Sequence, residues 1–171
     1  MSEIAQRIGL VAHADELQGI ELEHIVEALD LALYQLGEDG VSAAAHDLEQ
    51  WPEPLSTDER RVFAAMSHSL FSIFEVIGLH DVTGLMLRDL FSGEDIWVVD
   101  RGLEANVPAG FRLALRLIGP DKFWMTTGGS LIVNDDMWQA TIEKFKPEAG
   151  APPHPDQLAE YLFQTANKIV P

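Results

Sequence analysis

In "ELQGIELEHIVEALDLALYQLGEDG" the apolar positions recur every three to four residues, placing Leu17, Ile20, Ile25, Leu29, Ala32, Leu33 and Leu36 on one helical face. The glycines at 37 and 40 then stop the helix. "VSAAAHDLEQW" predicts a second, shorter helix closed by Pro52 and Pro54. "STDERRVFAAMSHSLF" opens with Ser56 and Glu59 at capping-box spacing and sets Val62, Phe63, Met66 and Leu70 on one side, which predicts a third.

From Phe71 the period shortens toward two and the punctuation becomes that of hairpins. Phe71 to Leu79, Leu85 to Phe91 and Ile96 to Asp100 read as strands, with Gly84 free to take positive φ in the first turn. "FRLALRLI" alternates strictly, with Phe111, Leu113, Leu115 and Leu117 on one face and Arg112, Ala114, Arg116 and Ile118 on the other. Phe123 to Thr127 follows, "GGS" reads as a turn, and Leu131 to Val133 makes a sixth strand. After Asn134 the helical period returns in "DDMWQATIEKF", started by an Asp cap. A Pro-rich connector over 146–155 leads to a last helix capped by Asp156, with Leu158, Tyr161, Leu162, Ile169 and Val170 as its apolar side.

The pattern therefore predicts an α+β fold in one domain spanning 1–171: a helical region over 1–70, a small antiparallel β-barrel or coiled sheet of about six strands over 71–135, and a helical tail over 136–171. A chain of 171 residues can bury a sizeable core. At 47% hydrophobic and 23% charged residues its composition is globular.

Charge narrows the function. The net charge is −17, and residues 1–70 hold 14 acids against 3 bases. Such a field repels phosphate backbones and anionic lipid, so nucleic-acid and membrane partners are not expected there. The absence of cysteine removes disulfides, thiolate metal sites and a cysteine nucleophile, and fits a reducing, cytoplasmic setting. No apolar run approaches the roughly eighteen residues that a membrane helix needs. The opening segment ends in Ala12 and Ala14 like a signal peptide, but its apolar stretch is short and Glu3 spoils the basic start, so it does not read as one.

The segment Ser69 to Ser72, then Leu87-Arg88-Asp89-Leu90 with Ser92-Gly93-Glu94, then Pro108-Ala109-Gly110, resembles a β-barrel segment of uncharacterised bacterial SEC-C-associated proteins, over residues 69–128. The resemblance implies the barrel and no catalytic activity. Its zinc motif needs cysteines, so zinc does not carry over to this chain.

The candidate chemistry is sparse. Arg112 and Arg116 share a strand face about 13 Å apart by strand rise and, with Arg88, could flank an anion or a partner's acidic strip; the competing reading is pairing with Asp89, Asp100 or the acidic helices. Trp97 and Trp124, with Phe91, Phe111 and Phe123, read as core aromatics, and only secondarily as a stacking platform. Glu21 and His24 have the Glu-x-x-His spacing of di-iron bundles without the second pair those need, so no metal or cofactor is expected. His80-Asp81 and "HDLE" at 46–49 are adjacent only in sequence, and "TTGGS" at 126–130 follows a strand rather than opening a helix.

The residues predict first a non-enzymatic module that binds a protein partner. Second comes an enzyme or ligand sensor with a pocket at the helix–barrel junction near His68, His80, Asp81 and Arg88. Third is a single-strand nucleic-acid binder through Arg112, Arg116 and Trp124.

Overall fold

The computed structural model describes residues 2–11, 22–50, 54–147 and 151–169. Ala12, Ala14, Leu17, Ile20, Glu21, Trp51, Pro52 and Val170 lie outside the described residues, as do the side chains of His24 and Ile169.

Seven helices and five strands follow in the order α1 (Ser2–Arg7), α2 (Leu22–Tyr34), α3 (Ala43–Gln50), α4 (Thr57–Met66), β1 (Leu70–Leu79), β2 (Leu85–Asp89), β3 (Asp95–Val98), α5 (Arg101–Asn106), β4 (Arg112–Ile118), β5 (Met125–Ile132), α6 (Asp135–Phe145) and α7 (Pro155–Ile169) among the described residues. The α+β order of helices, strands, helices is the expected one. The capping box of α4 forms as its spacing requires: the Glu59 amide donates to Ser56 Oγ and the Ser56 amide to Glu59 Oε2. Gly84 takes φ +80 in the β1–β2 turn.

The sheet corrects two expectations. Its strands are antiparallel in the order β3-β2-β1-β4-β5, and it is an open sheet rather than a barrel. The edge strands β3 and β5 meet only at one parallel bridge, Val98 with Trp124, made by the Trp124 amide on Trp97 O and the Val99 amide on Trp124 O, each 2.8 Å. β3 is four residues long and the chain turns into α5 at Asp100, so no ladder can grow from that bridge.

The second correction is the strand count. "GGS" is no turn: β5 runs through it as one strand, and the pairing jumps from Leu117–Thr126 to Leu115–Ser130. Thr127, Gly128 and Gly129 thus stand opposite Arg116 alone, a bulge that Gly128 permits with φ +108.

β1 as far as Val76, and β4, are buried on both faces. On one side Phe71, Ile73 and Ala114 pack against Ala5 and Ile8, Ala28 and Leu31 of α2, Met137 of α6, and Leu158, Leu162 and Phe163 of α7. On the other, Phe74, Val76, Leu85, Leu87, Ile96, Val98, Leu113, Leu115 and Leu117 form a second cluster covered by Leu103, Val107 and Trp124.

Several faces differ from the apolar stripes of the sequence. α2 buries Ala28, Asp30, Leu31 and Tyr34, while Leu29 is 39% exposed, because Asp30 must turn inward to meet Arg116; Leu36, 48% exposed, lies past the end of the helix. Val62 of α4 is exposed. The cap of α6 is Asn134, whose side chain accepts the Met137 amide, rather than an aspartate. Asp156 lies in the first turn of α7, and its carboxylate accepts the Leu36 amide at the end of α2. α5, unread in the sequence, is capped by Asp100 on the amides of Gly102 and Leu103.

Candidate functional site

Three places bring side chains together. The deepest is where α2 crosses the β5 bulge. Arg116 is 2% exposed and Asp30 8%, and they pair side-on: Nε lies 2.9 and 3.0 Å from Asp30 Oδ1 and Oδ2, and Nη2 lies 2.9 Å from Oδ2. Nη1 reaches Ser69 Oγ at 3.3 Å, and the guanidinium carbon stands 4.7 Å from the Tyr34 ring centre and 5.2 Å from that of Phe71. Burial raises the Asp30 carboxyl above its ordinary value, against the hydrogen bonds and charge of Arg116 and a bond with Thr127. Thr127 is placed for that bond by the bulge.

Two cavities, of about 370 and 230 Å³, lie here and share Val26, Asp30, Gly128 and Gly129 in their walls. Val26 sits so close to Gly129 that a Cβ there would meet its Cγ1 at 3.0 Å. The larger cavity is completed by Glu27, Phe71, Ala114, Ser130, Leu131 and Phe163.

The second place is a cleft of about 650 Å³ that brings together His68, His80 and Trp124, with Trp97, Lys122, Glu94 and Asp95. His80 stacks on Trp97 with ring centres 4.2 Å apart, and its Nδ1 accepts the Val82 amide. His68 Nδ1 donates to Ala64 O. Asp81 is exposed in the turn and does not line the cleft. Arg88 lies on the outer face of β2 and holds Asp95 of β3 with two hydrogen bonds, of 2.7 and 3.0 Å, between directly paired residues. That guanidinium keeps Asp95 below the usual carboxylate range.

Arg112 and Arg116 share a strand face but not a site. Arg112 binds Asp135 of α6 at 2.6 Å near the Trp138 ring, while Arg116 is sealed beneath α2. Of the aromatics expected in the core, Phe91 is buried, Trp97, Phe123 and Trp124 are half-buried, and Phe111 is 44% exposed. His46 lies in α3 as read, and its Nε2 meets Asp39 at 2.9 Å on the surface.

The third place is an end of the sheet. Ile77 and Leu79 at the end of β1, Val82 in the turn and Phe111 before β4 are all exposed, Leu79 and Val82 the most, at 68% and 78%. The Val76 amide donates to Phe111 O, which sets Phe111 opposite Val76. A groove of about 520 Å³ runs from Leu79 past Val76 and Leu85 to Val107, Pro108 and Ala109, with Glu104 on its rim.

Sequence reasoning missed Asp30, Tyr34, Ser69 and Thr127. The one signal available was Asp30 itself, a lone carboxylate inside "ALDLAL". No group of three or more His, Asp or Glu that could hold a metal occurs among the described residues, and no described helix is long and apolar enough to cross a membrane.

No curated protein and no solved structure matches the chain. One family model does match it, over residues 1–161, and nothing in that match connects it to SEC-C proteins. The chain belongs to this family, DUF7986, a family of unknown function.

Proposed function

We propose that this protein is a non-enzymatic interaction module of the cytoplasm, whose exposed sheet end grips an apolar segment of a protein partner flanked by basic residues. The observation that carries this reading is Leu79, 68% exposed at an end of the sheet, where it lines a groove with Val76, Leu85, Val107, Pro108 and Ala109. An exposed apolar side chain at a groove is what binding sites present. Glu104 lines the groove, and the whole chain carries −17, so basic flanks on the partner complement it.

A ligand pocket at the helix–sheet junction has less support, because His80 Nδ1 already accepts an amide and Arg88 already holds Asp95. Binding of single-stranded nucleic acid has less still, since Arg112 and Arg116 both hold carboxylates.

The test is the double substitution Leu79→Ser with Val82→Ser. Both side chains are exposed, so the thermal midpoint should stay put. Native mass spectrometry of protein purified from its host should show a defined heteromeric complex for the wild type and a bare chain for the variant. A complex that survives the double substitution, or a homodimer that it dissolves, would overturn the reading.

A further inference from the structure

β1 runs on past the strand beside it. Its pairing with β4 ends at Glu75 with Arg112, and the last bonds between the two segments are the Val76 amide on Phe111 O and the Gly110 amide on Val76 O, at 2.9 and 2.8 Å. The chain before β4 is a turn in which the Phe111 amide meets Pro108 O and Gly110 takes φ +87, and it leads away from the sheet. β1 continues to Leu79 paired with β2 alone. Ile77 to Leu79 is therefore a free sheet edge on the side that β4 has left.

The register decides which backbone groups face that edge. The His80 amide donates to Gly84 O at 2.9 Å, and the pairs before it are Leu79 with Leu85 and Gly78 with Met86. Along an antiparallel ladder, residues alternate between exchanging bonds with their partner and pointing both groups away from it. With His80 bonded toward β2, Leu79 points its N–H and C=O to the open side, as Val76 does toward Phe111 and Gly110. Among the described residues, no loop, helix or side chain reaches either group. The Leu79 side chain, on the face it shares with buried Leu85, lines the groove of about 520 Å³ that runs to Val107, Pro108 and Ala109.

We infer that the partner of the sheet end is an extended segment that adds to β1 as a strand, pairing its backbone with the N–H and C=O of Leu79 and laying an apolar side chain in the groove. This rests on the sheet end being a partner site. A free donor and acceptor on one residue are met by extended backbone, whereas a helix bonds its own backbone groups internally and offers them nothing. The groove beside them takes the side chain that an added strand turns to that face. A second copy of this chain is a poor occupant, since each copy carries −17 and Glu104 lines the groove. Basic residues flanking the added strand suit both charges.

Amide hydrogen exchange tests the edge directly. In the free chain the Leu79 amide should exchange about tenfold or more faster than that of Val76, and equal protection of the two would overturn the inference. In the heteromeric complex purified from the host, Leu79 exchange should slow about tenfold or more. Leu79→Pro removes the N–H without breaking a bond within the sheet, and should weaken the complex about tenfold beyond Leu79→Ala, which removes only the side chain. If the proline variant does not fold, exchange at Leu79 in the wild-type complex decides alone. A complex that Leu79→Ser with Val82→Ser dissolves, but in which Leu79 exchanges as in the free chain or Leu79→Pro binds as Leu79→Ala does, would overturn strand addition and leave the sheet end a partner site. No complex at all would overturn both.

Discussion

Arg116 and Asp30 are two ions taken out of water, and their geometry decides what each contributes. Three guanidinium contacts to one carboxylate, a fourth to Ser69 and two rings alongside satisfy the pair without water. Removing one partner leaves a buried charge uncompensated, whereas replacing both with apolar groups does not. Arg116→Met should therefore cost about 3 to 5 kcal/mol in urea unfolding, and Asp30→Leu with Arg116→Met should recover most of it.

The same pair sets a pH dependence. Burial raises Asp30 above 3.8, so folding tightens its hold on a proton. Its contribution to stability is then fully present below the unfolded value and is lost as pH rises through the raised folded one. Asp100 runs the other way: burial pushes it up, but the Thr126 hydroxyl and the amides of Leu103 and Gly102 bring it below 3.8, so its contribution is present above that value and lost as pH falls. Urea midpoints across the acid range should show the first component missing from the Asp30→Leu with Arg116→Met variant and the second missing from Asp100→Asn. Of the three arginines singled out in the sequence, Arg88 has a partner seven positions away in the next strand. Arg116 has one 86 positions away, on a helix whose rotation the pair itself sets, and no local pattern contains that distance.

At the scale of elements, the turn after β1 is held to glycine by its neighbour. Gly84 has φ +80, and a Cβ there would sit 2.1 Å from Val98 O. Gly84→Ala should cost about 2 kcal/mol or more from strain and clash, and should speed amide exchange in β2 and β3 ahead of β4. The glycine was legible because a turn between two alternating runs demands it. Gly128 and Gly129 were misread for the same reason: two glycines between apolar runs look like a turn, and only the side chain opposite them and the helix above them make a bulge. The capping box at Ser56 was legible because both partners lie within one helical turn. The buried face of α2 was not, because it includes Asp30 and leaves Leu29 in solvent.

At the scale of the molecule, the order of helical and extended regions follows from the change of period, and it is the order observed. Closure of the sheet does not follow from it. Strand number read from turn residues says nothing of whether β3 is long enough to pair with β5, and at four residues it reaches only one bridge. The acidic N-terminal region is where charge and fold meet: 14 acids lie in the first 70 residues, and the described structure turns one of them, Asp30, into the core.

α7 carries a consequence for how the chain is made. Its Leu158, Leu162 and Phe163 share one core with Ala5, Ile8, Ala28 and Leu31, and its Asp156 holds the Leu36 amide across 120 positions. On the ribosome, α1 and α2 emerge long before the helix that completes their packing, so the growing chain carries an open apolar seam through most of its synthesis. The excess of carboxylates on that waiting segment makes neighbouring nascent chains repel one another until α7 arrives to close it.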